Sequence, residues 1–362
     1  MASAIIAIVA LILKKTSAHG LDAFEPRTNG YCKQLDIPVF ATAESAIYDL
    51  PRPHGPQRLI QNTNTSGTFN IHAQLCVPKT ESDKSDILQI ATHGVHYDSR
   101  YWDPELDRDN LSYVEASLKA GYSILTYDRL GVGKSDIPDA YEVVQAPLEL
   151  ELLRQLTLMA RNGTLYDFAK GGKRGKSRSP FAKLTKPSKV VHVGHSWGSV
   201  LTSAFIAKYG ALTDGAIITG YLFGPYLGKS GMASFNAEAP ASSTPSFDRP
   251  SGYVVCKKSG IQTIFFAGDT ETAFTEEQLD YGNELKQPYM LAEFDFYICA
   301  GDCKGLANQT ALEETYPNAS VIDVAIQPNT GHAFTLHNNA TAGYQVTFDF
   351  WIAMASKSVS GL

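Results

Sequence analysis

A serine between two glycines carries the clearest chemistry in the sequence, because residues 194–198 read Gly-His-Ser-Trp-Gly with Ser196 at the centre. A serine hydroxyl becomes a nucleophile when a base takes its proton, and it can then attack a carbonyl carbon to form an acyl intermediate. A serine on a one-residue turn must adopt a left-handed backbone, which brings the residues two before and two after it together. Only very small side chains fit there, so Gly194 and Gly198 predict a nucleophile elbow.

The segments on either side of Ser196 have the patterns that such an elbow needs. Val190, Val191 and Val193 form a short β-branched run typical of a buried strand. Apolar residues then recur at helical spacing over residues 197–209, and Gly210 is a natural helix stop. This order places the hydroxyl at a helix N-terminus, where the helix dipole favours a developing oxyanion. The alternative is a serine in an ordinary strand-to-helix loop.

A serine nucleophile needs a histidine base, and the sequence has nine histidines. Most of them lie before the strand ends that would carry the site, inside a strand, or beside the nucleophile. His93 and His96 flank the loop after the strand at 87–92 and could support it. The remaining two are His332 and His337. Residues 320–326 are predicted to be the last core strand, and Gly331 lets the following loop turn sharply. We therefore expect His332 to be the base.

Two aspartates compete for the role of the acid that orients His332. Asp269 and Asp295 each follow an apolar run. Between Asp295 and His332 there is room for one helix at 306–316 and one strand at 320–326, which is the single crossover expected between the acid and histidine loops. From Asp269 the chain would have to fit an extra strand. We predict that Asp295 is the acid, with Asp269 as the alternative.

Strand patterns alternate with helical patterns along most of the chain. Strands are predicted at 69–77, 87–92, 122–127, 215–222 and 287–293, besides the strand before Ser196, and a helix at 146–159. This alternation indicates an α/β fold with a doubly wound parallel sheet. The long connection at about 223–287 predicts a cap over the site.

Four short motifs lie at successive strand ends: His93-Gly94, the Asp-Arg-x-Gly-x-Gly-x-Ser run at 128–135, residues 194–198, and Gly331-His332. In this order they resemble the α/β-hydrolase fold superfamily from residue 69 to the end. GHSWGS, GHAFTLHNNA and the Cys299-x3-Cys303 element are similar to a group of secreted fungal serine α/β-hydrolases. The resemblance implies a mostly parallel sheet with the cap before the acid-bearing strand, and one domain over 19–362.

The resemblance also implies roles for backbone groups. The residue after His-Gly and the residue after the nucleophile donate their N–H groups to the oxyanion in this fold, which assigns Val95 and Trp197. The run at 128–135 is expected to be a structural turn. Neither a cofactor nor a metal is required.

Several features predict secretion. Residues 1–18 are interpreted as a signal peptide, with a buried N-terminal helix as the alternative, because the apolar run at 2–13 is too short to span a bilayer of about 30 Å. Of the five cysteines we expect Cys32 to bond Cys76 and Cys299 to bond Cys303, leaving Cys256 free. Asparagines that begin N-x-S/T triplets are Asn64, Asn110, Asn162, Asn308, Asn318 and Asn339.

Together these patterns predict a secreted serine hydrolase that cleaves a small apolar ester or lactone. The net charge of −6 argues against a nucleic-acid partner, and no stable membrane insertion is expected. The alternatives are an accessory enzyme of secondary-metabolite biosynthesis that hydrolyses, cyclises or condenses, a peptidase or thioesterase on the same triad, and a catalytically silent binding protein.

Overall fold

The computed structural model of the chain describes residues 24–49, 58–170, 180–181, 185–221, 235–243, 247–266, 271–290 and 309–359. Within these ranges a seven-stranded sheet runs in the order β1-β2-β3-β5-β4-β6-β7. Its strands are Glu25–Pro26 (β1), Gly30–Asp49 (β2), Arg58–Pro78 (β3), Ile87–Thr92 (β4), Ser123–Tyr127 (β5), Lys189–His195 (β6) and Ala216–Thr219 (β7).

Four neighbouring strands of this sheet, β5, β4, β6 and β7, run parallel, and β3 joins them antiparallel to β5. The carboxyl ends of β4, β6 and β7 therefore meet at one edge, where Thr92 is in register with Gly194 and His195 with Thr219. The motifs of the sequence lie along this edge. The predicted α/β-hydrolase fold, with its mostly parallel sheet, is confirmed.

The helices cover both faces of the sheet. They are Arg108–Leu111 (α1), Tyr113–Lys119 (α2), Ala146–Asn162 (α3), Leu165–Ala169 (α4), Trp197–Tyr209 (α5), Pro240–Ser243 (α6), Lys258–Phe265 (α7), Glu276–Glu284 (α8), Gln309–Thr315 (α9) and Ala340–Val359 (α10). Adjacent strand residues point to opposite faces, so Ile124 packs in the core that holds Val114 of α2, and Leu125 in the core that holds Leu152 of α3. None of the described helices combines the length and apolarity needed to cross a membrane.

A long hairpin extends beyond the sheet. β2 and β3 pair from Gly30 to Asp49, whereas β3 pairs with β5 only over residues 73–76. The predicted strand at 69–77 is therefore only part of the longer strand β3. The residues of β3 before position 69 are mostly polar, so they lack the apolar pattern that predicts a strand. The amide side chain of Gln145 holds the hairpin, accepting from the Ala46 N–H at 2.9 Å and donating to its carbonyl at 2.7 Å.

The predicted bond between Cys32 and Cys76 is present, linking β2 to β3 at directly opposed positions. Cys256 is a free, buried thiol, as expected. The other predicted pair, Cys299 with Cys303, lies outside the described residues.

Two predicted strands differ from the structure: the first lies outside the main sheet, and the second is absent. Within 287–293 only Tyr289–Met290 (β10) is a described strand, and it pairs antiparallel with Tyr253–Cys256 (β9), which also pairs with Ala237–Glu238 (β8), in a separate three-stranded sheet. A buried apolar run identifies a strand but not its partner. Residues 320–326 form no strand, and Val324 and Ile326 are 42% and 47% exposed, because alternating β-branched residues need a neighbouring strand to form a ladder. The predicted cap at about 223–287 stays a prediction.

Candidate active site

Ser196 lies on the sharp turn that the flanking glycines predict. It leaves β6 with a φ of 55° and precedes α5, and its N–H donates to the Thr219 carbonyl at 2.9 Å. A Cβ atom added at Gly194 would lie 2.5 Å from the Gly198 carbonyl oxygen, and one added at Gly198 would lie 2.1 Å from the Thr92 carbonyl oxygen. Only glycine fits at either position, so the elbow is fixed by backbone clearance.

The loop after β4 approaches the serine just as closely. A Cβ atom added at Gly94 would lie 2.7 Å from Ser196 Cβ and 3.3 Å from its Oγ. Val95 follows in this loop and is buried, while Trp197 is the first residue of α5. The N–H groups of the first turn of a helix are directed toward its N-terminal end. The two residues assigned to the oxyanion hole therefore lie on the two segments that border Ser196.

One buried ion pair connects these two segments. Glu149 of α3 accepts from Arg129 Nη1 at 2.6 Å and from the Trp197 indole N–H at 2.9 Å. Arg129 Nη2 also donates to the Gly94 carbonyl at 3.4 Å, and its backbone N–H donates to His93 Nε2 at 3.0 Å. His93 Nδ1 therefore carries the proton and donates to the Gly94 carbonyl at 2.7 Å. Burial, and then the charge of Arg129, lowers the pKa of His93, which stays neutral.

Asp128 is structural, as the sequence predicts. Its carboxylate accepts from the backbone N–H groups of Ser99 at 2.9 Å and Lys134 at 2.8 Å. Gly133 has a φ of 59°, and a Cβ atom there would lie 2.2 Å from Asp128 Oδ2. The carboxylate thus closes the turn between β5 and α3.

His332 reaches the same edge from the C-terminal part of the chain. Its ring lies against Gly220, the residue after β7, where an added Cβ atom would be 2.8 Å from His332 Cε1. The ring centroid is 4.8 Å from that of His195 and 5.7 Å from that of Phe265. Burial, and then the charge of His337, lowers the pKa of His332 to about 4. The imidazole is therefore neutral near pH 7, which is the form a general base requires.

His337 and His195, which the sequence did not favour as the base, both help to hold His332 in place. His337 accepts from the Gly331 N–H at 3.1 Å through Nε2 and donates to the Ala333 carbonyl at 2.8 Å through Nδ1, so it braces the loop that carries His332. His195 bonds Thr219 Oγ1 at 3.0 Å and stacks on Tyr101 with the ring centroids 4.6 Å apart. It contacts His332 by its ring, a role that its position beside the nucleophile did not predict.

Two further polar side chains, His96 and Tyr97, directly follow Val95 in the loop after β4. His96 has a φ of 78°, and its ring stacks on Phe265 at a centroid distance of 5.4 Å. Among the residues that the structure describes, neither of its ring nitrogens nor the Tyr97 hydroxyl has a hydrogen-bond partner, and all three atoms are buried. A buried polar group left unpaired costs about 1–3 kcal/mol. Burial, and then the charge of Lys286, lowers the pKa of His96 to about 3, so this ring is also neutral.

The sequence pointed to His96 as a support for the oxyanion loop, and it missed Tyr97 altogether. The only signal available was their position directly after Val95. Neither candidate acid can be placed, since Asp269 and Asp295 both lie outside the described residues. Of the elements used to choose between them, the helix is present as α9 and the strand at 320–326 is absent.

Comparison with known proteins gives a family match. A model described as the alpha/beta hydrolase family matches residues 90–343. A carboxylesterase of the thaumarchaeon Nitrososphaera gargenis is similar in structure, with a TM-score of 0.50 and 11% identity, over 80% of this chain and 97% of that one. No curated protein matches the sequence at a significant level.

Two further solved structures have lower TM-scores. An esterase from Thermogutta terrifontis gives 0.46 with 12% identity over 88% of this chain and 99% of that one. Tomato methylketone synthase I gives 0.45 with 13% identity over 74% and 98%.

Proposed function

The chain belongs to the alpha/beta hydrolase family, and on that premise we propose that it is a secreted serine hydrolase that cleaves a carboxylic ester or lactone through an acyl-enzyme intermediate. The observation that carries the proposal is the backbone of Ser196, with a φ of 55° in a turn where Gly194 and Gly198 leave no room for a Cβ atom. A strained serine between a strand and a helix N-terminus has the geometry of a nucleophile.

In the proposed reaction the Ser196 hydroxyl attacks the ester carbonyl while His332 takes its proton. The N–H groups of Val95 and Trp197 hold the oxyanion, and one such donor is worth about 3–4 kcal/mol of transition-state stabilisation. His332 then gives the proton to the leaving alcohol, and the Ser196 ester remains. Water, deprotonated by His332, hydrolyses this ester in the second half of the reaction.

We propose Asp295 as the acid that orients His332, with Asp269 as the alternative. A carboxylate at this position selects one imidazole tautomer and stabilises the imidazolium that forms during proton transfer. Asp295 is favoured because it follows an apolar run and precedes Cys299 and Cys303, whose proposed bond would brace its loop.

Secretion is part of the proposal. It is supported by the signal-peptide pattern at 1–18 and by the bond between Cys32 and Cys76, which is typical of an oxidising compartment. Of the five sequon asparagines that the structure describes, four are exposed, namely Asn64, Asn110, Asn162 and Asn318. The protein purified from its producing cells should begin near His19 and lose mass on glycosidase treatment. An N-terminus at Met1 without any glycan would contradict secretion.

The catalytic proposal is tested with a fluorophosphonate probe and a panel of esters and lactones. The wild type should be labelled and should hydrolyse a member of the panel. Ser196→Ala should remove both labelling and turnover while the fold is retained, because alanine removes a single oxygen atom and adds no atom that could clash. If this variant keeps more than a few per cent of the wild-type turnover, Ser196 is not the nucleophile.

A further inference from the structure

The strongest unexplained feature is the group of unpaired polar atoms around Phe265. Within the part of the chain that the structure describes, His96 Nδ1, His96 Nε2 and the Tyr97 hydroxyl are buried and make no hydrogen bond. The centroids of the His96 and Tyr97 rings lie 5.4 and 5.3 Å from that of Phe265. Buried polar groups in folded proteins are nearly always bonded, so two adjacent side chains without partners require a reason.

The backbone at His96 adds a second observation. Its φ of 78° is left-handed, and the conformation is held because the His96 carbonyl accepts from the Gln287 N–H at 2.7 Å. Strain of this kind in a non-glycine residue is concentrated at sites of ligand binding and catalysis. The strained residue directly follows Val95, one of the proposed oxyanion donors.

We propose that His96 and Tyr97 form a subsite that binds a hydroxyl group on the otherwise apolar body of a neutral ester or lactone substrate. This assignment rests on the proposed function, because it names the substrate class of the same site. The subsite is one aromatic ring away from the proposed base, since Phe265 contacts His332 as well, with the centroids 5.7 Å apart.

The chemistry of the two side chains selects a hydroxyl group. A neutral imidazole offers one N–H donor and one nitrogen acceptor, and a phenol offers a donor and an acceptor. The two ring centroids are 5.5 Å apart, so a substrate hydroxyl placed between the side chains would donate to His96 and accept from Tyr97. The surrounding rings of Phe265 and Tyr289 suit an apolar body, and a charged group bonded only to neutral partners would lose more solvation than it regains.

The positive charge of Lys286 contributes to lowering the pKa of His96. The Lys286 ammonium donates to the Cys256 carbonyl at 3.4 Å. An anionic substrate group attracted by Lys286 is the competing chemistry. A test must therefore include a carboxylate.

The experiment compares methyl 3-phenylpropanoate with its three ring-hydroxylated isomers and its ring-carboxylated analogue. For the wild type, kcat/KM for the best hydroxylated isomer should exceed that for the unsubstituted ester by at least about tenfold, because a site built to bond a hydroxyl discriminates against its absence. Tyr97→Phe should bring this ratio close to one. His96→Asn, which tolerates the left-handed backbone, should also lower it.

Tyr344→Phe is the matched control. It removes a buried hydroxyl that already donates to the Leu111 carbonyl at 2.6 Å, so the ratio should stay at its wild-type value. A ratio near one in the wild type, a ratio unchanged in Tyr97→Phe, or a preference for the carboxylated ester would overturn the subsite.

A binding measurement separates this inference from the proposed reaction. In the Ser196→Ala background, the hydroxylated 3-phenylpropanamide should bind at least about tenfold more tightly than the unsubstituted amide by calorimetry, and adding Tyr97→Phe should remove the difference. If the two amides bind equally well to Ser196→Ala while wild-type Ser196 reacts with fluorophosphonate, the subsite alone is overturned. A wild type that does not react with the probe would overturn the proposed reaction, while the affinities would still decide the subsite.

Discussion

The two sides of the candidate site are held in different ways. On the nucleophile side, which comprises Gly94, Val95, Ser196 and Trp197 with the Arg129–Glu149 pair, backbone clearance and hydrogen bonds fix the groups. On the base side, which comprises His96, Tyr97, His195, Phe265 and His332, ring contacts hold the groups, and several of their buried polar atoms have no hydrogen-bond partner in the described part of the chain.

This difference indicates that the nucleophile side is preorganised, whereas the base side needs further groups to pair its polar atoms. The nucleophile side already has the arrangement that the proposed reaction would need, so a substrate would have little to reorganise there. The base side has neutral imidazoles in an aromatic environment, and in the proposed reaction an acid and a substrate would supply partners for its unpaired polar atoms. Substitutions on the nucleophile side should therefore disturb structure and rate together, and those on the base side should disturb proton transfer and selectivity.

Gly198→Ala should have the largest effect of any conservative change. The new Cβ atom would lie 2.1 Å from the Thr92 carbonyl oxygen and 2.8 Å from that of His93, both of which are backbone atoms at the end of β4. We expect turnover to be lost and the Tm to fall. Gly210→Ala is the matched control, because an added Cβ atom there has no neighbour within 4 Å among the described residues and the glycine has a helical φ of −52°.

Full activity in Gly198→Ala would show that the elbow can shift, and the nucleophile side would not be rigid. A loss of activity in Gly210→Ala would show that a methyl group directly after α5 disturbs the site without any clash.

Asp295→Asn should lower kcat by about four orders of magnitude, because an amide can hold the wrong imidazole tautomer and cannot stabilise the imidazolium. Asp269→Asn should act mildly, through folding alone. Steady-state kinetics on both variants at equal folded fractions, measured by circular dichroism, decide between them. The opposite ranking would move the acid to Asp269.

The nucleophile side could be predicted from the sequence because its geometry is local. Gly194, Ser196 and Gly198 stand within five consecutive residues, and the steric argument needs no information from elsewhere in the chain. The fold could be predicted for a similar reason, since each motif lies at the end of an apolar strand. The pairing of Cys32 with Cys76 was also predicted.

The base side could not be predicted in the same detail because it depends on contacts between distant segments. The apolar runs at 287–293 and 320–326 look alike, yet the first contributes a strand to a separate sheet and the second is exposed. The ring contacts join His96, Phe265 and His332, which are far apart in sequence. No periodicity in the sequence reports such contacts.

Glu149→Gln should have an intermediate effect on the nucleophile side. The amide would remove the carboxylate charge that accepts from Arg129, whose side chain is 1% exposed, and losing one charge of a buried pair costs about 3–5 kcal/mol. We expect a lower Tm and a kcat reduced by about 10- to 100-fold, less than the full loss of an oxyanion donor, because Glu149 orients Trp197 without touching the substrate.

Asp167→Asn on α4 is the control. Asp167 pairs with Lys170 at 3.1 Å, their side chains are 67% and 36% exposed, and an exposed pair is worth about 0–1 kcal/mol. Its Tm and kcat should stay close to the wild-type values. Equal effects of the two substitutions would mean that the Arg129–Glu149 pair does not position the oxyanion donors.

The smallest expected effect is a shift in pH dependence on the base side. Burial, and then the charge of His337, lowers the pKa of His332 to about 4 when no acid is placed beside the ring. Only the neutral ring can take the Ser196 proton, so kcat/KM should fall as the pH falls through this pKa. A carboxylate beside the ring favours the imidazolium and raises the pKa. The wild-type acid limb should therefore lie above pH 4, and in Asp295→Asn the residual activity should have its limb moved down toward about 4.

Asp269→Asn should keep the wild-type limb, which makes it the control for this shift. The fold must be monitored over the same range, because burial also lowers the pKa values of His96 and His192 to about 3. The unfolded chain binds protons at these histidines below about pH 6.5, so stability falls as the pH is lowered from there toward the folded pKa values. Rates should be compared only where circular dichroism shows the native state. An acid limb at the same pH in the wild type and in Asp295→Asn would show that Asp295 does not contact His332.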